Sequence, residues 1–351
     1  MKKNYTTTDI ANMLGLSRNT VSKALNNHPS ISEETIKIIV DKARSLGYKK
    51  YKLNPPDTKP EPKNMKNIAF LSYIDVFHEG YWGDVMKGAE ESLRQSEYNM
   101  VFNFVQLDDL PQLTLPQTLL NGNIDGIILT GFPNKAYSLA LADLKIPLVL
   151  IDSHSEIQTH ELMYDIVLME SDQSVCELTH HLIKLGHREI GFIGNIHRCK
   201  SFMDRWLGFK RSMDHASLPV NFEYCIIDSD PTNHTNNELL ISALKDFKQY
   251  PTAFICMNDI VAWHVINYLQ SIGLQVPGDV SVTGFDHSKF FSNTAPIFRN
   301  LTTVEVQGRM IGARAIDQLL WRMQHRDRPH EIIHISTKPI YGETTAAPKQ
   351  P

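Results

Sequence analysis

Short apolar runs alternate with segments of helical periodicity from Asn67 onward, and this alternation limits how the chain can fold. The runs are of the kind that form strands when helices cover both faces of a parallel sheet. The predicted strands are residues 68–74, 100–105, 126–130, 148–151, 190–194, 224–227, 253–257, 280–285 and, as the last strand before a polar tail, 332–336. Strands that alternate with helices in this way form parallel sheets.

The alternation restarts near Ile166, which gives two series of similar length. With 351 residues, the chain also exceeds what one compact core usually holds. We therefore predict two α/β lobes with a cleft between them. Ligands of such proteins bind where the strands end and the loops converge.

Residues 5–26, YTTTDIANMLGLSRNTVSKALN, predict two short helices joined by a tight turn. Thr7 or Thr8 is suited to cap the first helix, because a hydroxyl at that position can accept a free backbone N–H. Gly15 is suited to the turn because it tolerates positive φ. Ser17 is suited to cap the second helix.

The second helix has an inward and an outward side. Val21 and Leu25, four residues apart, can face inward. The side chains that remain outside are polar or basic, namely Arg18, Asn19, Ser22 and Lys23. Groups of these types are what reading base edges in a DNA major groove requires. The segment therefore predicts a helix-turn-helix, and a generic helical pair with a polar face is the alternative.

A third helix is predicted between Ser32, a further hydroxyl cap, and Gly47, a common helix terminator. Its apolar residues repeat at helical spacing and would close a small core over the first two helices. Four prolines then crowd a Lys-rich stretch, which predicts an extended linker. We expect a headpiece at residues 1–50, a linker at 51–66 and the two-lobed body at 67–351.

The charge of the chain is uneven. Residues 1–52 contain ten Lys or Arg against four Asp or Glu, whereas the whole chain has a formal net charge of -4. A basic end on an acidic body fits a nucleic-acid contact confined to that end. The four cysteines form no CxxC pair, and neither a signal-peptide core nor a membrane-spanning run is present. We expect a cytoplasmic protein with reduced thiols and no membrane contact.

Six segments resemble the LacI/GalR family of transcription regulators, and together they extend over nearly the whole chain. They read TTTDIANMLGLSRNTVSKALNN, LGHREIGFIG, RWLGF, PTAFICMND, GLQVPGDVSVTGFD and LTTVEVQGRMIGARA. The resemblance implies an all-α helix-turn-helix headpiece and an α/β core of two Rossmann-like lobes, similar to periplasmic binding proteins. It also implies a homodimeric DNA-binding regulator, expected to be a repressor, that responds to a sugar or sugar phosphate.

The resemblance places DNA reading at the start of the second helix. The reading positions are Arg18, Asn19 and Lys23, of which Arg18 can bond guanine O6 and N7 and Asn19 can pair with adenine or another base edge. Phosphate contacts are expected from Thr6, Ser17, Thr20 and Ser22. Contact with phosphates alone remains the alternative for Arg18 and Lys23. A homodimer would bind a near-palindromic operator.

One segment departs from the family. Its members usually carry a short hinge helix with a leucine that wedges into the minor groove. The corresponding segment here, YKKYKLNPPDTKPEPKN, is rich in proline, which disfavours that helix. Leu53 could still supply a wedge, and such wedges bend DNA.

By resemblance, six positions would bind the effector in the cleft, namely Tyr81, Trp82, Asp152, Arg205, Asn258 and Asp286. Aromatic faces, carboxylates, amides and a guanidinium suit a polyol. Trp82 could instead belong to the core, and Asn258 and Asp286 could cap helices. Arg205 could form a structural ion pair or clamp a phosphate or carboxylate. The family often has two aspartates after Gly-Phe, whereas His287 follows Asp286 here.

The sequence contains no nucleophile paired with a base, no phosphate-binding loop and no metal-ligand spacing. We therefore expect neither an enzyme nor a bound metal or cofactor. The alternative to a DNA-binding regulator is a cytoplasmic sugar-binding sensor without a DNA role. The predicted headpiece argues against that alternative.

Overall fold

The computed structural model describes residues 5–25, 28, 30–46, 48, 66–72, 80–106, 108–131, 134–158, 160, 162–228, 238–287 and 300–349. The chain divides into two compact units, Met1–Met65 and Lys66–Pro351. The predicted linker lies outside the described residues except for Lys66, which begins the first strand. Leu53 and Gly47 also lie outside them.

The described residues of the first unit form three helices around a small apolar core. They are α1 (Thr7–Leu14), α2 (Arg18–Leu25) and α3 (Glu33–Ser45). Gly15 follows α1 with a φ of 66°, a conformation that glycine adopts without steric cost, so the predicted turn is present. The buried side chains of the three helices form one cluster, made of Ile10, Ala11, Val21, Ala24, Ile39 and Ala43.

The cap of α1 is Thr6, so the prediction of Thr7 or Thr8 was wrong. The Thr6 hydroxyl accepts the Asp9 N–H at 3.3 Å, and the Asp9 carboxylate accepts the Thr6 N–H at 2.7 Å. Thr6 has the extended backbone of a capping residue, with φ -111° and ψ 169°, whereas Thr7 and Thr8 are helical. The signal that the prediction overlooked is the spacing of Thr6 and Asp9, because a capping box places an acidic residue three positions after the capping hydroxyl.

In the described part of the second unit, strands and helices alternate as predicted. The strands are β1 (Lys66–Ser72), β2 (Tyr98–Phe104), β3 (Gly126–Thr130), β4 (Leu148–Ile151), β5 (Asp165–Met169), β6 (Ile190–Ile193), β7 (Ala253–Cys256), β8 (Ser281–Thr283), β9 (Thr303–Glu305), β10 (Ile332–Ile335) and β11 (Lys338–Ile340). The helices are α4 (Tyr81–Leu93), α5 (Asp109–Gln112), α6 (Gln117–Leu120), α7 (Lys135–Ala142), α8 (Asp172–Leu185), α9 (Lys200–His215), α10 (Glu238–Lys245), α11 (Asp259–Ser271) and α12 (Gly308–Gln324).

Two parallel sheets form the two lobes. The first sheet has the order β10-β5-β4-β3-β1-β2, and the second has the order β6-β7-β8. Side chains alternate between the two faces of the first sheet. Ile68 and Phe70 pack in the same cluster as Val85 of α4 and Ile311 of α12, whereas Leu71 packs in another with residues of α7. In the second lobe, α8 and α9 cover one face and α10 and α11 the other.

Two of the predicted strands differ from the structure. The chain returns to the first lobe through α12, and β10 joins the first sheet beside β5. It is not the last strand, because β11 follows and pairs antiparallel with β9. Residues 224–227 form no named strand. Phe222–Tyr224 is a 3-10 turn, to which the Asn221 side chain contributes a cap, and Ile226 makes a single bridge to Ile193.

Two glycines allow α4 and α12 to approach closely. A Cβ on Gly88 would lie 1.9 Å from the Arg309 carbonyl oxygen. A Cβ on Gly312 would lie 1.9 Å from the Val85 carbonyl oxygen. Both distances are far below van der Waals contact, so these positions have room for hydrogen alone. The crossing holds α12 against the first helix of the first lobe.

We expect Gly312→Ala to lower the free energy of unfolding of the full chain by about 2 kcal/mol, because the added methyl group forces two helix backbones apart. Urea unfolding followed by circular dichroism measures this change. The neighbouring half-buried position provides the control, since Ala313→Ser should change the same quantity by less than about 0.5 kcal/mol. Equal midpoints for Gly312→Ala and the unmodified chain would contradict the close crossing.

Candidate functional site

Helix α2 presents the side chains that were predicted to read DNA. Arg18 and Asn19 are exposed and Lys23 is half-buried, while Val21 and Ala24 are buried in the headpiece core. This arrangement fixes which side of α2 faces outward. Among the predicted phosphate contacts near α2, Ser17 is exposed, and Thr20 and Ser22 are half-buried.

Two of the hydroxyls predicted to touch phosphates, those of Thr6 and Ser17, cap helices. The Ser17 hydroxyl accepts the Thr20 N–H at 3.0 Å and lies 2.8 Å from the Thr20 hydroxyl, so the predicted cap of α2 is present. Ser32 caps α3 in the same way, accepting the Thr35 N–H at 3.4 Å. The Thr6 hydroxyl donates to the Asp9 carboxylate at 2.7 Å. The Ser17 cap holds the exposed start of α2 without using Arg18 or Asn19.

The second candidate site lies in the second unit, where strands of both lobes end. Asp152 directly follows β4 of the first lobe. Asn258 comes shortly after β7 and Asp286 after β8 of the second lobe. Carboxyl ends of parallel strands meet at one edge of each sheet, which is where ligands of α/β proteins bind. The structure therefore brings residues of both lobes to a common cleft.

Asp152 connects the two lobes. Its buried carboxylate accepts the Ser153 N–H at 2.7 Å, the Ser201 N–H at 3.3 Å and the Ser201 hydroxyl at 2.5 Å. Ser201 lies in the first turn of α9, so a carboxylate of the first lobe caps a helix of the second. The Lys200 N–H also donates to the Ser153 carbonyl at 2.8 Å. Burial raises the pKa of Asp152, and the bonds from Ser201 and Ser153 oppose that shift.

Arg205 is buried at the centre of the cleft. One guanidinium nitrogen donates to the Met257 carbonyl at the end of β7. The other terminal nitrogen lies 3.1 Å from the Met169 sulfur and 3.7 Å from an Asp286 carboxylate oxygen. The guanidinium also stacks on the Phe285 ring at 3.6 Å from its centroid. Its Nε is buried and has no hydrogen-bond partner among the described residues.

Asp286 and Tyr81 face the same centre. Burial raises the pKa of Asp286 to about 6, although the charge of Arg205 acts to lower it. The Tyr81 hydroxyl is buried without a hydrogen-bond partner in the described part of the chain. Burial raises the pKa of Tyr81, and the nearby Asp152 and Asp286 carboxylates add to that rise. A ligand hydroxyl placed here would meet an unused donor, an ion pair and an aromatic ring.

Trp82 and Asn258 have the structural roles that the sequence analysis gave as alternatives, core packing for Trp82 and helix capping for Asn258. The Trp82 ring packs edge-on against Tyr81 at 4.7 Å and also against the main apolar cluster. The Asn258 side-chain oxygen accepts the Val261 N–H at 2.9 Å and caps α11. Both residues border the cleft, and each makes a contact that the fold itself requires.

Sequence reasoning missed three residues of the cleft. Ser201 binds Asp152 and Phe285 stacks on Arg205, but both roles depend on contacts distant in sequence. The third is Thr130, which ends β3 with a fully buried hydroxyl that lacks a partner among the described residues. A polar residue ending an otherwise apolar strand was the one available signal. In the same described residues, no group of side chains suited to a metal ion is found.

Comparison with known proteins gives matches at both ends of the chain. Residues 6–50 match the model of the bacterial regulatory proteins of the lacI family, and residues 179–345 match that of a periplasmic binding protein-like domain. The arabinose metabolism transcriptional repressor of Geobacillus stearothermophilus is 28% identical, with 95% of this chain and 90% of the relative covered.

Among the helices that the structure describes, none has the length and apolar composition of a membrane span.

Two solved structures, among others, share the fold over almost the whole chain. The lac repressor dimer bound to operator and the anti-inducer ONPF has a TM-score of 0.69 at 19% identity, covering 98% of this chain and 100% of that one. The complex of the transcriptional regulator CelR with cellobiose also has a TM-score of 0.69, at 18% identity and with 97% and 100% covered. At these identities the likeness establishes the architecture, a helical headpiece followed by two parallel α/β lobes.

The raised pKa of Asp286 predicts a pH dependence of stability. The Asp286 carboxyl binds a proton more tightly in the folded chain than in the unfolded one. Between about pH 4 and pH 6 the unfolded chain has lost this proton and the folded chain still holds it, so the free energy of unfolding falls as the pH rises through this range. Between pH 4 and pH 7 the unmodified chain should lose about 2 kcal/mol of unfolding free energy relative to Asp286→Asn. Urea unfolding of both chains at several pH values measures that difference.

Asp246→Asn, at an exposed position, provides the matched control and should track the unmodified chain at every pH. A difference between the unmodified chain and Asp286→Asn that stays constant from pH 4 to pH 7 would contradict the raised pKa.

Proposed function

This chain belongs to the LacI family of bacterial regulatory proteins, and we propose that it represses transcription by reading an operator with α2 while a sugar in the cleft sets its DNA affinity. Members of the family are DNA-binding transcriptional regulators under small-molecule control and are not enzymes. The observation that carries the proposal for the cleft is the convergence of Tyr81, Arg205 and Asp286, where buried donors lack partners among the described residues.

For DNA reading, we assign direct base contacts to Arg18 and Asn19. Their exposure at the first turn of α2 supports the assignment, because recognition helices contact bases with their N-terminal residues. Lys23 would read a base beside them or contact a phosphate, and phosphate contacts would come from Thr20 and Ser22 and from Ser17 and Thr6 at the starts of the two helices. A two-fold homodimer in the cytoplasm would place two such helices on a near-palindromic operator.

For the effector, we propose a neutral sugar and not a sugar phosphate. Two carboxylates, Asp152 and Asp286, lie near the single guanidinium of Arg205 at the cleft, and the Asp286 carboxylate already pairs with that guanidinium. A phosphate would be repelled, whereas sugar hydroxyls can donate to carboxylates and accept from Arg205 and Tyr81. The neutral sugar in the CelR–cellobiose complex, a protein of the same fold, is consistent with this chemistry.

For the coupling, we propose that the effector acts on the contacts between the lobes. Asp152 caps α9 across the cleft, so a sugar hydroxyl that competes for this carboxylate changes how the lobes are held. A ligand shifts DNA affinity only through different affinities for two states, and lobe contacts at the ligand site provide such a difference.

We expect Arg18→Ala to weaken operator binding by about tenfold to a hundredfold and to relax base preference at one position of each half-site. The probe is a duplex enriched by the unmodified chain from a randomised library, and fluorescence anisotropy measures its affinity. Arg188→Ala, an exposed arginine of the second lobe, is the matched control and should bind that duplex as the unmodified chain does. Undiminished binding by Arg18→Ala would contradict the reading role.

We expect a thermal-shift screen of neutral sugars and sugar phosphates to find a neutral sugar that raises the melting temperature. Tyr81→Phe should weaken its binding by about threefold to tenfold, because one hydrogen bond is lost, without lowering the stability of the unliganded chain. Calorimetric titration with the sugar found in the screen measures the affinities. A screen in which only phosphorylated sugars bind, or an unchanged affinity in Tyr81→Phe, would overturn the effector assignment.

A further inference from the structure

A second cavity lies at the opposite end of the first lobe from the cleft. It has a volume of about 270 Å³. Its lining includes Leu148 at the start of β4, Arg322 and Arg326 at and beyond the last turn of α12, and His330 shortly before β10. The cleft is at the carboxyl ends of these parallel strands, so this cavity at their amino ends is a separate place.

A buried ion pair fixes the floor of the cavity. Two Arg322 nitrogens donate to the two carboxylate oxygens of Asp165, each at 2.8 Å. The Glu331 N–H and the Gln318 amide also donate to that carboxylate, at 2.8 and 3.0 Å. Burial acts to raise the pKa of Asp165, but bonds from His330, Arg322 and the neighbouring donors hold it far below its usual range. The Arg322 charge is therefore cancelled within the fold.

The same arginine shapes the loop that follows α12. Its remaining N–H groups donate to three carbonyl oxygens, those of His325 at 3.0 Å, Arg328 at 2.6 Å and Pro329 at 2.7 Å. Holding these carbonyls fixes the loop on both sides of Arg326 and next to His330. The cavity is thus built by specific hydrogen bonds and is more than a gap between loops.

The rim of the cavity carries positive charge that the fold does not cancel. Arg326 is exposed and makes no ion pair with any described residue. The Lys145 ammonium reaches only to 4.0 Å from Asp143, and both side chains are about three-quarters exposed. None of the described lining residues is acidic. The remaining wall is apolar, formed by Ala142, Ile146, Pro147, Leu148, Leu162 and Met163.

We propose that this cavity is a second ligand site, which binds a small organic anion with an apolar body, such as an aromatic carboxylate. The apolar wall takes the body, and Lys145 and Arg326 take the anionic head. A neutral sugar suits this cavity poorly, because its hydroxyls would face apolar side chains without hydrogen-bond partners. The cleft is therefore suited to a neutral polar ligand, whereas this cavity is suited to an anion with an apolar body.

Calorimetric titration of the full chain with benzoate tests the proposal, with benzyl alcohol as the uncharged probe of similar shape. Benzoate should bind at least about tenfold more tightly than benzyl alcohol, and added salt should weaken benzoate alone. The double variant Lys145→Met with Arg326→Met keeps the apolar stems and should lose about tenfold in benzoate affinity.

Two control variants establish whether benzoate binds in this cavity. Arg328→Met removes an exposed arginine of the same loop that does not line the cavity, and it should leave benzoate binding unchanged. Asp286→Asn alters the cleft and should also leave it unchanged. The proposal is overturned if benzoate shows no saturable binding, if the double variant binds it as the unmodified chain does, or if Asp286→Asn changes its affinity.

Discussion

The buried guanidinium of Arg205 is the constraint on which the cleft depends. A buried charge is tolerated only when hydrogen bonds and an opposite charge surround it. Here those partners come from the ends of strands in both lobes, since Met169 ends β5, Met257 follows β7 and Asp286 follows β8. Because these partners all contact the one Arg205 guanidinium, they fix the positions of the ends of three strands relative to one another. The Arg205 Nε has no hydrogen-bond partner among the described residues, and the proposed sugar would supply an acceptor for it.

The two carboxylates of the cleft are held in uncommon backbone conformations. Asp152 has a φ of 64° and Asp286 a φ of 107°, a region that side-chain-bearing residues seldom adopt. Such strain persists only when the surrounding structure enforces it, and it concentrates at functional sites. The hydrogen bonds from α9 to the Asp152 carboxylate hold the backbone of Asp152 in this conformation. The bond from the Asp286 N–H to the Val304 carbonyl, at 2.9 Å, does the same for Asp286. One of these strained carboxylates, Asp152, thus also holds the two lobes together.

Much of the fold followed from local pattern. Strands β3 and β4 have the predicted bounds because their runs are continuous and apolar, and Ser17 caps α2 because a hydroxyl preceded the apolar spacing. The return of β10 to the first sheet and the three-residue pairing of β9 with β11 depend on long-range contacts that periodicity does not encode. The resemblance selected Tyr81, Arg205 and Asp286, which the structure brings together, and their ligand role stays a prediction. Ser201 was missed because its hydrogen-bond partner, Asp152, lies 49 residues away in the sequence.

A crystal structure of the chain with the sugar that most raises its melting temperature tests the central claim most directly. The account predicts sugar hydroxyls within hydrogen-bond distance of the Arg205 guanidinium, the Asp286 carboxylate and the Tyr81 hydroxyl, between the two lobes. A sugar bound elsewhere on the chain, with Arg205 and Asp286 still contacting only protein atoms, would contradict it.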